Sequence, residues 1–189
     1  MSVLGNALGM AGHDADALSV KQAELSLMRR VGASDACMLA TQGNIANTYQ
    51  MLGRHEQALQ MRRDVYSGYL KLNGGEHGDT VRAVNNYAHS LLNLRCFEEA
   101  KSLLRKTMPV ARRVLGENNE TTLRMRTIYA AALYIDPSAT LDDLREAVTM
   151  LEETGRIARR VMGGAHPLAR DIESTLQNAH EALAARDEA

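Results

Sequence analysis

Aromatic residues are scarce in this sequence: its 189 residues include no Trp, one Phe and six Tyr. Packed β-sheets depend on aromatic and β-branched side chains, so this shortage disfavours a sheet core and predicts an aliphatic, helical one. No apolar run approaches the ~20 residues that a membrane span needs, and the N-terminus lacks the basic flank of a signal peptide. We therefore expect a cytoplasmic protein with no membrane partner.

The sequence also lacks an excess of charge of one sign and has few cysteines. Its 22 Lys and Arg nearly balance 23 Asp and Glu, giving a net charge of −1. It therefore has no basic footprint for nucleic acid, which we do not expect as a partner. Cys37 and Cys96 stand alone, without the spacing of a zinc site or a disulfide framework. We expect two reduced thiols.

Groups that could do chemistry are isolated. The pairs Asp142-Asp143 and Glu152-Glu153 and the segment 13–16 fall in turns or on exposed helical faces of the predicted structure. Charges in such places are usually solvated, and no convergent set of titratable groups accompanies them. We therefore expect no enzyme, no catalytic residue, no metal and no cofactor.

An internal repeat is the most informative feature of the chain. Asn-Ile-Ala at 44–46 recurs as Asn-Tyr-Ala at 86–88, and Glu-Gln-Ala at 56–58 recurs as Glu-Glu-Ala at 98–100, both at an offset of 42 residues. Such a period without strand signals indicates stacked helical hairpins. The predicted single repeat domain, 1–189, consists of units at about 1–40, 41–82, 83–124 and 125–170, followed by a capping helix at 168–186.

Each unit carries two helical patterns. Tyr87, Leu91 and Leu94 fall on one face of a first helix, called helix A, and the segment 97–115 continues the helical spacing in a longer helix B. A glycine then ends each helix B, at positions 32, 74, 116 and 163, where a left-handed backbone is expected. In the last unit the A–B turn is lengthened, and Thr140 with Asp143 predicts an N-terminal cap that restarts helix B near Leu141.

These features resemble the tetratricopeptide repeat. The resemblance rests on the helical hairpin, on the Gly-x-x-x-x-Ala-Leu turn at 53–59 and on small residues at the close-packing positions. Ordinary members of that family repeat at ~34 residues. The longer unit, with Asn-Asn-Tyr-Ala at 85–88 and Val-Leu-Gly-Glu-Asn-Asn-Glu-Thr-Thr-Leu at 114–123, is similar to the kinesin light chain class. The small residues are Ala46, Ala58, Ala88, Ala100, Ala130 and Ala147.

The resemblance implies an all-α, right-handed solenoid of stacked antiparallel helix hairpins whose A helices line a concave groove for a partner peptide. Polar A-helix residues off the packing stripe are then the candidates, because an amide can bond a peptide backbone and an arginine can bind a carboxylate. The alternative for each is a solvated polar face or an inter-repeat hydrogen bond, since Asn44 and Asn86 could equally bond across the hairpin. The candidate peptide-binding residues are Asn44, Asn47, Arg82, Asn85, Asn86, His89 and Arg124.

Two functions are compatible with this sequence. The first is a protein–protein interaction scaffold that binds a partner peptide in the groove. The second is an architectural or autoregulatory segment of a larger protein, such as a cargo adaptor or a multidomain signalling protein. The sequence names neither the partner nor the oligomeric state.

Overall fold

The computed structural model describes residues 2–187, with side chains from residue 3 onward. Every regular element among these residues is an α-helix. The helices are α1 (Ser2–Met10), α2 (Asp14–Arg30), α3 (Asp35–Met51), α4 (His55–Asn73), α5 (Gly78–Asn93), α6 (Phe97–Leu115), α7 (Glu120–Tyr134), α8 (Leu141–Met162) and α9 (Pro167–Asp187). The prediction of an all-α helical repeat solenoid is therefore confirmed.

The helices alternate between the predicted A and B types. α1, α3, α5 and α7 are A helices, and α2, α4, α6 and α8 are the B helices that follow them. The repeat units counted from the sequence begin inside the A helices, because α3 already starts at Asp35 and α5 at Gly78. The predicted final helix at 168–186 corresponds to α9, which packs against α7 and α8.

The chain divides into two compact units, Met1–Ser90 and Leu91–Ala189, and the division falls within α5. In the first unit, Leu18, Leu25, Ile45 and Tyr49 form an apolar cluster. The second unit has its own core, in which the largest fully buried side chains include Leu104, Leu123, Met125, Leu133, Leu151 and Ile172.

Small side chains occupy the tightest positions of the hairpins. The six alanines at 46, 58, 88, 100, 130 and 147, predicted as close-packing residues, are each 0% exposed. A larger side chain at these places would force strain into a core that is already packed to high density. The repeat frame read from the sequence therefore marks the packed interior correctly.

Glycines end α4, α6 and α8 at the predicted positions, but their backbone conformation differs in one angle from the prediction. Gly74, Gly116 and Gly163 cap α4, α6 and α8 with φ of 77°, 95° and 85°, as expected, but their ψ values of 174°, 155° and 152° lie far from the left-handed helical region. This combination is essentially restricted to glycine. At the start of α8, Thr140 and Asp143 form the predicted capping box.

None of the helices within residues 2–187 has the length and apolar character needed to cross a membrane.

Candidate functional site

A cleft of about 170 Å³ lies between two A helices of the first unit. We call it the α3–α5 cleft. Four of the seven predicted residues line it: Asn44 and Asn47 from α3, and Arg82 and Asn86 from α5. These pairs are three and four residues apart, a spacing that places side chains on one face of a helix. The remaining lining residues are Leu39, Ala40, Gly43, Val65, Tyr69, Asp79 and Ala83.

The α3 wall of the cleft is tied to a buried arginine. The Nη2 group of Arg62, on α4, donates to Oδ1 of Asn47 over 3.0 Å. The Nη1 group of the same arginine donates to Oγ of Ser90, on α5, over 2.6 Å. Arg62 is only 7% exposed, whereas Asn47 is exposed. One guanidinium thus connects α3, α4 and α5 behind the cleft.

On the α5 wall, neighbouring amides interact with each other. Nδ2 of Asn85 donates to Oδ1 of Asn86 over 3.2 Å, while Oδ1 of Asn85 is buried without a hydrogen-bond partner. Nη1 of Arg82 donates to Oδ1 of Asp79 at 2.8 Å, in an exposed ion pair within the helix. The guanidinium group of Arg82, which we predicted to bind a ligand carboxylate, is therefore already paired with the carboxylate of Asp79 on its own helix.

Burial and charge set the protonation of two groups near the cleft. The pKa of Tyr69 is raised, first by burial and then by the negative charge of Asp79. Its hydroxyl therefore stays protonated at neutral pH and donates to the backbone oxygen of Ala36 over 3.4 Å. Burial alone lowers the pKa of Arg62, and no carboxylate contributes to that pKa.

The other three predicted residues are not among those that line the cleft. Asn85 and His89 lie on α5, where Asn85 is half-buried and His89 is exposed. Arg124 belongs to the second unit, on α7, and its Nε and Nη2 groups bond Oε1 of Glu120 over 3.1 and 2.7 Å. This ion pair lies on an exposed face of α7, and a peptide-binding role of Arg124 stays a prediction.

Sequence reasoning missed three residues that shape the site: Arg62, Tyr69 and Asp79. Arg62 lies on a B helix, outside the A-helix rows from which the candidates were taken. A signal for it exists in the repeat, because Arg62 follows Ala58 by four residues, as Leu104 follows Ala100 and Leu151 follows Ala147. The first unit also has a cation at this position, Lys21, whereas the two later units have leucine, so a charge here breaks the apolar pattern of the later B helices.

A second cleft lies within the second unit and is lined mainly by one B helix, α8; we call it the B-helix cleft. It is lined by Arg126 of α7, by Glu153, Arg156, Ile157 and Arg160 of α8, and by Glu117. Arg126 donates to Oε2 of Glu153 over 2.8 Å. No group of three or more His, Cys, Asp or Glu side chains in the described part of the chain is arranged to hold a metal ion.

Comparison with known proteins shows which proteins this chain resembles. Residues 38–79 and 80–120 match the tetratricopeptide repeat model, and a search of curated protein sequences gave no match. A crystal structure of a Podosopora anserina protein, described as a kinesin light chain with nearly identical TPR-like repeats, is 20% identical. It has a TM-score of 0.77, and the alignment covers 99% of this chain and 87% of that one.

BtubC (BKLC) from P. vanneervenii is 17% identical, with a TM-score of 0.79 over 96% of this chain and 70% of that one. At these identities the structures establish the fold, and the family model adds the sequence signature of the repeat. The resemblance inferred from the sequence is thus confirmed: residues 38–120 match the tetratricopeptide repeat, and the chain has the fold of kinesin light chain-like repeat proteins.

Proposed function

We propose that this chain is a protein–protein interaction module that binds an extended peptide segment of a partner in the α3–α5 cleft. Tetratricopeptide repeats generally mediate protein–protein interaction. The observation that carries the proposal is the convergence of Asn44, Asn47, Arg82 and Asn86 from two separate A helices around one cleft. Amide side chains suit this role, because each can donate to and accept from a peptide backbone.

The proposal assigns the chain no catalytic step, cofactor, nucleic acid or membrane. The repeat family is a scaffold family. The polar groups of the cleft are three amides, the ion pair of Arg82 with Asp79, and the hydroxyl of Tyr69, which bonds a backbone oxygen; they do not form a nucleophile beside a base. A reducing, cytoplasmic location is part of the proposal, supported by the free thiols of Cys37 and Cys96.

The test uses a fluorescein-labelled positional-scanning library of octapeptides with acetylated N-termini and amidated C-termini, read by fluorescence polarisation. The best binder is then titrated against the protein and against the double variant Asn47→Ala, Asn86→Ala. We expect about thirtyfold weaker binding, because two hydrogen bonds of about 1 kcal/mol each are lost. Circular dichroism establishes that the double variant remains folded.

The matched control is Arg160→Ala, which removes an exposed side chain from the B-helix cleft of the second unit. It should bind the selected peptide like the unchanged protein. Equal loss in both variants, or no peptide binding at all, would contradict the proposal and favour an architectural or autoregulatory segment of a larger protein.

A further inference from the structure

Arg62 is a buried charge without the partner that such charges normally have. It is 7% exposed, its Nε group is buried with no hydrogen-bond partner, and burial alone lowers its pKa. A guanidinium removed from water is costly unless ion pairs and hydrogen bonds compensate it. Here the compensation is two neutral acceptors, Oδ1 of Asn47 and Oγ of Ser90.

The repeat itself shows that the fold does not need a cation at this position. The equivalent residues of the next two B helices, Leu104 and Leu151, are both 0% exposed. The acceptor changes with the cation: Ser90 corresponds to Ala132, which follows Ala130 as Ser90 follows Ala88. Between α6 and α7, a leucine and an alanine therefore occupy the positions that Arg62 and Ser90 occupy between α4 and α5.

In the first hairpin, the equivalent cation makes only one of the two bonds that Arg62 makes. This cation, Lys21, is also buried, and its Nζ donates to Oγ1 of Thr48, which stands at the place of Ser90. A single ammonium group makes the bond between hairpins there. The branched guanidinium of Arg62 makes that bond and additionally reaches Asn47 in the cleft.

The bond from Arg62 fixes what Asn47 can offer to a ligand. An amide has one acceptor oxygen and one NH₂ group with two donors. Because Oδ1 of Asn47 accepts from Arg62, its NH₂ group is turned away from the guanidinium. On the opposite wall, Oδ1 of Asn86 accepts from Asn85, so its NH₂ group is also left to donate. Both walls of the cleft thus present amide donors.

We propose that Arg62 is a positioning residue: it sets the orientation of the Asn47 amide, so that the α3–α5 cleft selects hydrogen-bond acceptors, the main-chain carbonyls of an extended peptide. This inference rests on the proposed function for its ligand, but the orientation of the amide is a property of the free protein. The two parts can therefore be tested separately.

The first experiment needs no ligand. In ¹⁵N-labelled protein, NMR records the side-chain NH₂ signals of Asn47 and the guanidinium protons of Arg62. We expect protected guanidinium protons, and an Asn47 NH₂ pair that shifts toward random-coil values in Arg62→Leu and Arg62→Lys. The matched control is Lys21→Leu, which removes the buried cation of the first hairpin and its bond to Thr48. Because Thr48 is next to Asn47, we expect a small shift, but the Asn47 NH₂ pair should stay away from random-coil values. An Asn47 signal unchanged by both Arg62 variants overturns the inference.

Folding of the variants is expected, because leucine already occupies the equivalent positions at 104 and 151. Arg62→Lys is the more conservative variant, and by analogy with Lys21 it should keep the bond to Ser90 while losing the bond to Asn47. A merely structural arginine would lower the melting temperature without moving the Asn47 signals.

The second experiment measures binding of the octapeptide selected from the library. We expect Arg62→Leu to weaken binding about five- to tenfold, and the double variant Arg62→Leu, Asn47→Ala to bind no more weakly than Asn47→Ala. Independent, additive losses would overturn the positioning role. If Asn47→Ala itself leaves binding unchanged, the proposed function fails, while the NMR experiment still decides whether Arg62 orients Asn47.

Discussion

At the turn between α5 and α6, a single arginine adopts a backbone conformation that favours glycine. Arg95 has φ of 60°, and the equivalent residues of the two earlier turns are Gly12 and Gly53, with φ of 79° and 70°. A side chain in this region costs roughly 1–2 kcal/mol relative to glycine. Arg95 also stacks its guanidinium over the ring of Phe97, 5.7 Å from the ring centre, which offsets part of that cost.

We predict that Arg95→Gly is more stable than Arg95→Ala by about 1 kcal/mol. Both changes remove the contact with Phe97, so the difference reports the strain of a Cβ at positive φ, reduced by the greater entropy of glycine in the unfolded chain. Urea unfolding of the two variants, followed by circular dichroism, measures it. A glycine variant no more stable than the alanine variant would contradict the prediction.

A second residue-scale feature is the buried pair of Lys101 and Asp136. Nζ of Lys101 lies 2.9 Å from Oδ2 of Asp136, and both side chains are largely buried. Hydrogen bonds from the hydroxyl of Ser138, from Lys101 and from the backbone N–H of Ser138 lower the pKa of Asp136 to about 2, from 3.8. The pair ties α6 to the lengthened turn between α7 and α8.

This lowered pKa predicts a pH dependence of stability. Since the folded pKa of Asp136 is below its unfolded value, the ionised carboxylate stabilises the folded state by about 2 kcal/mol above roughly pH 5. That contribution declines as the pH falls below 4 and disappears once the pH passes through 2. We predict that Asp136→Asn lowers the free energy of unfolding at pH 7, and that the difference shrinks by about half at pH 3. A difference that stays constant from pH 7 to pH 3 would contradict this assignment.

At the scale of the element, α8 depends on a cap that the sequence already indicated. Oγ1 of Thr140 accepts from the backbone N–H of Asp143, and Oδ2 of Asp143 accepts from the backbone N–H of Thr140 over 2.8 Å. Both bonds satisfy N–H groups that have no partner within the helix. The cap allows α8 to start afresh after the longer turn at residues 136–140.

We predict that Thr140→Ala lowers the free energy of unfolding by about 1 kcal/mol, because the cap oxygen is lost. Thr140→Ser retains the oxygen and serves as the control, with stability close to that of the unchanged protein. The comparison is made by thermal and urea unfolding. If alanine and serine are equally stable at this position, the capping box contributes nothing measurable to α8.

At the scale of the whole molecule, local patterns predicted much of what the structure contains. The 42-residue offset located buried alanines such as Ala46 and Ala88. The spacing of polar A-helix residues selected Asn44, Asn47, Arg82 and Asn86, which line one cleft; their binding of a peptide stays a prediction. Burial and placement on one helix face depend on helical periodicity, which is local to each segment. The capping box at Thr140 was equally accessible, since both of its partners lie within one turn.

Long-range contacts escaped prediction for a physical reason. Lys101 and Asp136 are 35 residues apart, and Arg62 reaches Ser90 across 28 residues. Periodicity says which face of a helix is buried, but not which long side chain crosses to which neighbour. The burial of Arg62 was unexpected as well, because arginine is rarely buried without an ion pair. Only the tertiary structure shows that the amide oxygen of Asn47 accepts a hydrogen bond from Arg62 where a carboxylate would be expected.

The most direct test of peptide binding in the α3–α5 cleft is NMR mapping of the site on the ¹⁵N-labelled protein. The octapeptide selected from the library is titrated in, and changes in the chemical shifts of backbone and side-chain amides are recorded along the chain. We predict that the largest changes fall on the lining residues of the α3–α5 cleft, including the side-chain NH₂ groups of Asn44, Asn47 and Asn86. Changes confined to the outer faces of the B helices or to the second unit, with these three amides unmoved, would contradict it.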